Sequence, residues 1–288
     1  MQTKVLPLSL RASGWLLSNL GRPFPGMTAR IFLRLYMTPP KRKINAAQLE
    51  TRSKATVQPI TLSQYPFDPT PILINTYRWG KPGKKILVLH GWGDTGLSFG
   101  PLVDTLVAAG YEVIAYDAPA HGYSGGKRTN LPQLMHILDQ FLRLEGDIYG
   151  IVAHSMGALN AALTLARKEN VIQKLVLVSP SLSAPAFFND AFEIFNIRPE
   201  VATRTYGLIR TRLKEDLQTL DLHRYINQIR AEQILLVYDE HDQMVKYTDI
   251  ESFLQQYSPI QSFRIKGQGH FRIMKNPLVI SRIADFLN

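Results

Sequence analysis

Six short apolar segments, each followed by a helical pattern, constrain the fold of this 288-residue chain more than any other feature. Segments of this kind are typical of parallel strands that are covered by helices on both faces of a sheet. Two further β-like segments precede them and fit an antiparallel edge. We therefore predict the α/β class, with a mainly parallel eight-stranded sheet. The predicted strands are 56–62, 72–80, 84–90, 111–117, 147–153, 173–179, 233–239 and 262–267.

Residues 183–230 interrupt this alternation with two helix-like stretches, although crossovers in such sheets are usually short. We predict a small helical cap there, inserted between two parts of an α/β core at 56–182 and 231–288. The aromatic residues of the cap fit either the lining of an apolar pocket or a small core of the cap's own. These residues are Phe187, Phe188, Phe192, Phe195 and Tyr206.

Residues 1–43 carry eight basic residues and no acidic one, so they account for most of the formal net charge of +10. The rest of the chain is nearly neutral, which argues against a nucleic-acid-binding body. The amphipathic segment 27–37 places two arginines on one helical face. Prolines and consecutive basic residues then predict a connector at 38–55. Residues 1–55 together form the predicted N-terminal arm.

The arm allows three interpretations: a helix packed on the domain, a helix on the surface of an anionic membrane, or a flexible tail. Pro7 and Arg11 interrupt its apolar stretch, so it does not resemble a secretory signal. No apolar run approaches the ~20 residues that a membrane-spanning helix requires. We expect a cytoplasmic protein, and peripheral contact with an anionic membrane through residues 1–43 stays open. The absence of cysteine excludes disulfides and thiolate metal sites.

Ser155 lies where a predicted strand ends and a predicted helix begins, in the sequence "AHSMG" (153–157). A serine hydroxyl is a weak nucleophile that needs a base, and a tight strand–turn–helix would hold it at the edge of the sheet. Small residues two positions before and after the serine relieve crowding in such a turn. Gly157 is one of them, whereas Ala153 stands where glycine is usual. A serine that only caps the helix is the alternative.

A candidate acid and a candidate base follow the last two predicted strands, in the order that this chemistry expects. Asp242 follows the first of these strands, and His270 lies in a glycine-rich loop after the second. Because parallel strands end on the same edge of a sheet, we expect both side chains near Ser155. His270 would accept the proton of Ser155, and Asp242 would orient the imidazole. Asp239 and Glu240 remain rival acids.

The segment "HGWGD" (90–94) follows another predicted strand and fits a loop that binds a developing oxyanion. The backbone N–H groups of Trp92 and Met156 are the candidate donors. Trp92 and His154 are also candidates for contact with the substrate, and packing is the alternative role for Trp92. We interpret the other histidines, including His90 and His121, as structural.

The segments "VLHGWGDTG", "YDAPAHGYSGG", "VAHSMGAL", "YDEHDQMV" and "GQGH" stand in the order and spacing of the α/β-hydrolase superfamily, which the chain resembles over residues 56–288. "YDAPAHGYS" and "GHFRIMKNP" resemble a group of bacterial serine hydrolases, mostly without an assigned substrate, that tend to carry a basic N-terminal arm. The resemblance implies that Ser155 is the nucleophile, Asp242 the acid and His270 the base. Ala120 departs from the pattern, since glycine is commoner at its position.

We expect a serine esterase that cleaves a small-molecule carboxylic ester through an acyl-enzyme, with no cofactor and no metal. Serine at the elbow argues against dehalogenases and epoxide hydrolases, in which a carboxylate attacks. The same residues could serve a membrane-surface lysophospholipase, a monoacylglycerol lipase, or a hydrolase of thioester, amide or carbon–carbon bonds. A ligand-binding module on a hydrolase fold is the non-enzyme alternative. A nucleic-acid-binding protein has only the basic composition in its favour.

Overall fold

The computed structural model describes residues 8–257 and 259–288 of the chain. Pro7 therefore lies outside the described residues. The chain divides into two compact units. The larger unit contains Pro39–Leu182 and Leu222–Asn288, and the described part of the smaller unit contains residues 8–38 together with Ser183–Asp221. The same unit thus contains the predicted arm as far as Thr38 and the predicted cap as far as Asp221.

A mainly parallel sheet of eight strands lies in the described part of the larger unit. The strands are β1 (Thr56–Tyr65), β2 (Asp68–Trp79), β3 (Lys85–Leu89), β4 (Glu112–Tyr116), β5 (Ile148–His154), β6 (Ile172–Val178), β7 (Ala231–Asp239) and β8 (Gln261–Ile265). Their spatial order is β1-β2-β4-β3-β5-β6-β7-β8. Strand β2 pairs antiparallel with β1 and β4, and the other neighbours pair parallel. The predicted sheet and its antiparallel edge are confirmed.

Helices alternate with these strands along the chain. The α-helices in the described residues are α1 (Leu8–Gly21), α2 (Pro25–Tyr36), α3 (Ala46–Ser53), α4 (Gly100–Ala108), α5 (Leu131–Glu145), α6 (Met156–Arg167), α7 (Ala184–Ile194), α8 (Pro199–Leu213), α9 (Leu222–Tyr225), α10 (Tyr247–Gln256), α11 (Gly269–Arg272) and α12 (Pro277–Leu287). Short 3-10 turns cover Gly96–Phe99, Leu217–Thr219, Ile226–Gln228 and Ile273–Lys275. None of the described helices is both long and apolar enough to cross a membrane.

The core of the larger unit explains why its central strands are apolar without alternation. Val88 of β3 and Val152 of β5 are fully buried in one cluster with Leu106 of α4 and Ile283 of α12. On β4, the ring of Tyr116 packs against Phe141 of α5, with ring centroids 4.9 Å apart. Burying a side chain of this kind stabilises the fold by about 1.5–3 kcal/mol. Burial of these strands therefore stabilises the sheet. Because the strands are parallel, their carboxyl ends lie at the same edge of it.

Helix α3 lies inside the segment that the sequence predicts as a connector. The side chain of Asn45 accepts a hydrogen bond from the backbone N–H of Gln48 (3.0 Å), and the Gln48 side chain accepts one from the Asn45 N–H (2.9 Å). This reciprocal capping box satisfies two donors at the start of the helix. The predicted connector therefore contains the short helix Ala46–Ser53, whose start is marked in the sequence by this asparagine–glutamine spacing.

The aromatic residues of the predicted cap form a core within the smaller unit. Phe32 of α2 lies 5.1 Å from Phe192, and Tyr36 lies 4.1 Å from Phe188, between ring centroids. The ring of Tyr206 packs edge-on against Phe192 at 5.6 Å. Of the two interpretations of these aromatic residues, the packing favours a core, to which helix α2 contributes.

Candidate active site

Ser155 forms the turn between β5 and α6. Its backbone has φ 56° and ψ −121°, a region that residues with a side chain rarely adopt. The Ser155 N–H donates to the carbonyl of Val178 (2.9 Å), and the Ser155 carbonyl accepts from the N–H of Ala158 (3.0 Å). The serine side chain makes no capping hydrogen bond to the helix. The hydroxyl is therefore free to point away from the helix, at the carboxyl edge of the sheet.

The turn is so tightly packed that it requires small residues. A Cβ added at Gly157 would lie 2.5 Å from the carbonyl oxygen of His90. A Cβ added at Gly91 would lie 3.0 Å from the Cβ of Ser155. Ala153, at the position where glycine is usual, is fully buried in β5, so its methyl group is accommodated.

The candidate base and acid converge on Ser155. The Nε2 atom of His270 lies 2.8 Å from the Oγ atom of Ser155. The Nδ1 atom of His270 lies 2.8 Å from the Oδ2 atom of Asp242. The side chains of His270 and Asp242 are only 4% and 3% exposed, so little water competes for the bond between them. The three residues thus form one continuous line of hydrogen bonds.

The partners of Asp242 determine which nitrogen of His270 carries the proton. Burial acts to raise the pKa of Asp242, but the hydrogen bond from His270 and the backbone N–H groups of Val245 and Met244 outweigh it, so the pKa is lowered. Those two N–H groups donate to Oδ1 at 2.9 Å and 2.8 Å. An ionised carboxylate only accepts hydrogen bonds, so the Nδ1–H of His270 donates to it. In the neutral ring, Nε2 then accepts from the Ser155 hydroxyl.

The rival acids have other partners. Asp239 is fully buried and accepts hydrogen bonds from the N–H groups of His241 (2.6 Å) and Gln268 (2.7 Å). It therefore ties the end of β7 to the loop that carries His270. Glu240 forms ion pairs with Arg264 (3.3 Å) and Lys266 (3.4 Å). Neither carboxylate makes a hydrogen bond to His270 in the described residues.

Two histidines brace the candidate oxyanion loop. Nε2 of His90 accepts from the N–H of Ala118 (2.9 Å), so its Nδ1–H donates to the carbonyl of Gly91 (2.8 Å). Nε2 of His121 accepts from the N–H of Gly93 (3.0 Å), and its Nδ1–H donates to Pro119 (2.9 Å). Burial and the nearby His90 lower the pKa of His121 to about 3, which keeps this ring neutral and able to accept. Both histidines thus have a structural role, which is to hold the backbone of this loop in place.

The two candidate oxyanion donors belong to the loop after β3 and to the start of α6. Trp92 belongs to the braced loop, between the anchored Gly91 and Gly93. Met156 is the first residue of α6, where backbone N–H groups have no partner within the helix. Neither N–H has a protein acceptor among the described residues. Both donors are therefore available to a ligand atom.

Asp117 is a residue that the sequence analysis did not single out. It is fully buried and accepts from the backbone N–H of Gly96 (2.9 Å), the Tyr123 N–H (2.8 Å) and the Tyr77 hydroxyl (2.7 Å). These bonds hold together the loops after β3 and β4. The segment "YDAPAHG" could have indicated this role, because a lone aspartate at the end of a buried strand needs hydrogen-bond donors.

His154 precedes Ser155 and is almost fully buried. Its Nε2–H donates to the backbone carbonyl of His270 (2.8 Å), and the two ring centroids are 4.9 Å apart. Burial, with the nearby His270, lowers the pKa of His154 to about 4.

His154 also lines a cavity of about 310 Å³ in the larger unit, together with Asp94 and Phe271. Trp92 is not among the residues that line this cavity. Substrate contact by either residue remains a prediction.

A protein-family comparison adds to this geometry. The family model described as serine aminopeptidase, S33, matches residues 80–233, more than half of the chain. The chain belongs to this family of serine hydrolases. The membership confirms the α/β-hydrolase resemblance. The matched region of this S33-family chain includes Ser155 but ends before Asp242 and His270, so the assignment of acid and base depends on the geometry above.

The S33-family chain is also similar to individual proteins. A serine hydrolase-like protein of Dictyostelium discoideum is 31% identical over 114 residues, which cover 37% of this chain and 32% of that protein. An esterase of Mycobacterium tuberculosis is 30% identical over 115 residues, 38% of each chain. The chain thus matches about a third of the length of these relatives. The esterase Pf2001 of Pyrococcus furiosus has the same fold, with a TM-score of 0.64, 20% identity, and coverage of 87% and 98% of the two chains.

Proposed function

We propose that this chain is a serine hydrolase that cleaves a carboxylic ester through an acyl-enzyme. The observation that carries the proposal is the line of hydrogen bonds from Ser155 through His270 to Asp242, with both distances at 2.8 Å. A base within this distance can remove the hydroxyl proton during attack, which an isolated serine cannot achieve. Family membership and the names of the relatives, which include an esterase, support the same reaction class.

In the first half of the reaction, the Oγ atom of Ser155 attacks the ester carbonyl carbon while Nε2 of His270 accepts its proton. Asp242 stabilises the imidazolium that results. The N–H groups of Trp92 and Met156 bind the oxyanion of the tetrahedral intermediate. The intermediate then expels the alcohol, whose oxygen takes the proton from His270. The acyl group remains on Ser155.

In the second half, a water molecule replaces the alcohol. Its oxygen attacks the acyl carbon while Nε2 of His270 accepts its proton, and the same N–H groups bind the second oxyanion. The intermediate releases the carboxylic acid, and the proton on His270 returns to Oγ of Ser155. The cycle consumes one ester and one water and restores the enzyme.

A fluorophosphonate probe tests the proposal without knowledge of the substrate. We expect covalent labelling of the wild type and its loss in Ser155→Ala and His270→Ala. Ser63→Ala is a matched control, because Ser63 also contacts a histidine: its Oγ lies 2.9 Å from Nε2 of His136. That pair lacks a strained turn and the acid of the Ser155 site, so the control should label normally.

The same assay separates the acids. Asp242→Asn should slow labelling by on the order of 10⁴-fold, because an amide no longer selects the required tautomer. Glu240→Gln, with its ion pairs at the surface, should leave the rate unchanged. An unlabelled but correctly folded wild type would exclude the hydrolase and leave the ligand-binding module.

For the substrate, we propose a small-molecule ester. A panel of acyl-chain lengths, presented as oxygen esters and as matching thioesters, distinguishes this class from the alternatives, and lysophospholipid and monoacylglycerol belong in the same panel. We further propose a cytoplasmic location, with membrane contact through the N-terminal residues.

A further inference from the structure

Large apolar side chains are exposed along helices α1 and α2 of the smaller unit and in the link between them. Six of them, between 36% and 70% exposed, lie within twenty-one residues of sequence. Single exposed apolar residues are normal, but a concentration of this kind usually marks an interaction site. We name this set the exposed helix face. Its apolar members are Trp15, Leu16, Phe24, Met27, Ile31 and Leu35.

The geometry of α2 shows that this face is not needed for the core. Met27, Ile31 and Leu35 follow one another at a spacing of four residues, so they form one stripe along the helix. Phe32 and Leu33 are buried on the other side, where Phe32 joins the aromatic core. Helix α2 therefore has one apolar side for its own unit and a second one that stays exposed.

The exposed helix face is also positively charged. Arg30 and Arg34 form a second stripe beside the apolar one, and Arg22 lies in the link between α1 and α2. All three are exposed, and none forms an ion pair within the described residues. Residues 1–43 contain no acidic side chain. The charge of this face is therefore uncompensated within the N-terminal segment.

We propose that the exposed helix face binds the surface of an anionic lipid bilayer, with α1 and α2 lying in the plane of the interface. An amphipathic helix with arginines beside apolar residues binds in this way: the apolar side chains enter the acyl boundary and the cations contact the headgroups. Trp15 suits this depth, since tryptophan favours the interface. A second copy of the chain fits less well, because its arginines would meet these arginines with no acidic partner. The proposal does not depend on the hydrolase assignment.

Vesicle sedimentation of the full-length chain tests the proposal. In low-salt buffer, we expect binding to vesicles that contain about one third phosphatidylglycerol and little binding to phosphatidylcholine alone. The apolar variant Met27→Gln, Ile31→Gln, Leu35→Gln should bind at least tenfold more weakly. Glutamine is a good helix former, so α2 should be retained, and circular dichroism checks this.

A second variant separates the electrostatic contribution to binding from the apolar one. The arginine variant Arg22→Gln, Arg30→Gln, Arg34→Gln should bind anionic vesicles about 100-fold more weakly.

The control variant Leu144→Gln, Val171→Gln, Leu278→Gln removes three apolar residues of the larger unit that are more exposed than Met27, Ile31 and Leu35, and it should bind like the wild type. Ser155→Ala should also bind normally, which keeps this test independent of the proposed reaction.

Tryptophan fluorescence gives a second readout. The chain has three tryptophans, of which Trp15 is 70% exposed and Trp79 is buried. Anionic vesicles should shift the emission to shorter wavelength, and Trp15→Phe should abolish the shift. Absence of wild-type binding, or equal loss in the control variant, would overturn the proposal. So would light scattering that shows a wild-type dimer and a monomeric apolar variant, because a second copy would then cover the face.

Discussion

The backbone of Ser155 gives a prediction that tests the candidate elbow without any substrate. We expect Ser155→Gly to be more stable than Ser155→Ala. At φ 56° and ψ −121°, a residue with a Cβ atom is strained, whereas glycine adopts such angles freely. Both variants lose the hydrogen bond to His270, so that loss cancels in the comparison. The difference in stability therefore contains the strain of the turn and the greater freedom of glycine in the unfolded chain.

The expected magnitude follows from two opposing effects. A side chain in this region of backbone space costs about 1–3 kcal/mol. Glycine in turn gives the unfolded chain more freedom, which costs about 0.4–1 kcal/mol. The glycine variant should therefore be more stable than the alanine variant by about 1 kcal/mol. The hydrogen bonds from Ser155 N–H to Val178 and from Ala158 to the Ser155 carbonyl keep the turn in place in both variants.

Urea unfolding of both variants at neutral pH measures the difference from the midpoints. Ala166→Gly is the matched control, since Ala166 lies in α6, the helix that Ser155 precedes, with ordinary helical backbone. There, glycine should lower the free energy of unfolding by about 0.5–1 kcal/mol. The two sites should thus respond with opposite signs. A Ser155→Gly variant no more stable than Ser155→Ala would refute the strained turn.

Two further predictions concern Ala120, in the loop after β4, and His154, which precedes Ser155. Ala120 also has positive φ (65°), so Ala120→Gly should raise the free energy of unfolding by about 0.5–1 kcal/mol in urea, and a decrease would contradict the turn described. His154 has a pKa of about 4 in the fold and 6.5 otherwise, so the unfolded chain binds more protons between these values and stability falls as the pH falls. From pH 7 to pH 5 this costs about 2 kcal/mol. His154→Gln keeps an N–H donor and should lose that part of the pH dependence; an unchanged dependence would show that another group titrates.

The strands could be predicted because of their burial. Val88, Val152 and their neighbours are enclosed on both faces, which imposes continuous apolar runs on the strands. The same reasoning led to the candidate site, since parallel strands bring their ends to one edge. Ser155, Asp242 and His270 were therefore proposed together from sequence, and the 2.8 Å distances now support that proposal.

The sequence favours Asp242 over Asp239, but it does not show the contacts that distinguish the two carboxylates. Asp239 is the last residue of β7, and Asp242 follows it by only three positions. The difference lies in the loop: Asp239 turns toward the N–H groups of His241 and Gln268, whereas Asp242 turns toward His270. Such choices depend on backbone directions that no spacing rule encodes. The tautomers of His90 and His121 are hidden for the same reason.

The buried side of helix α2 could not be predicted from the sequence either. This matters for function, because the buried side determines which residues of the helix stay exposed. Its sequence is apolar around much of the circumference, so periodicity alone does not indicate which side is buried. The decision depends on Phe192, far along the chain, whose ring meets Phe32. Once Phe32 is buried, the spacing of the helix leaves Met27, Ile31 and Leu35 exposed. A chain that folds in this way retains an apolar stripe in water, which is unfavourable unless another apolar phase covers it. We propose an anionic membrane as this phase, because the arginines lie beside the stripe.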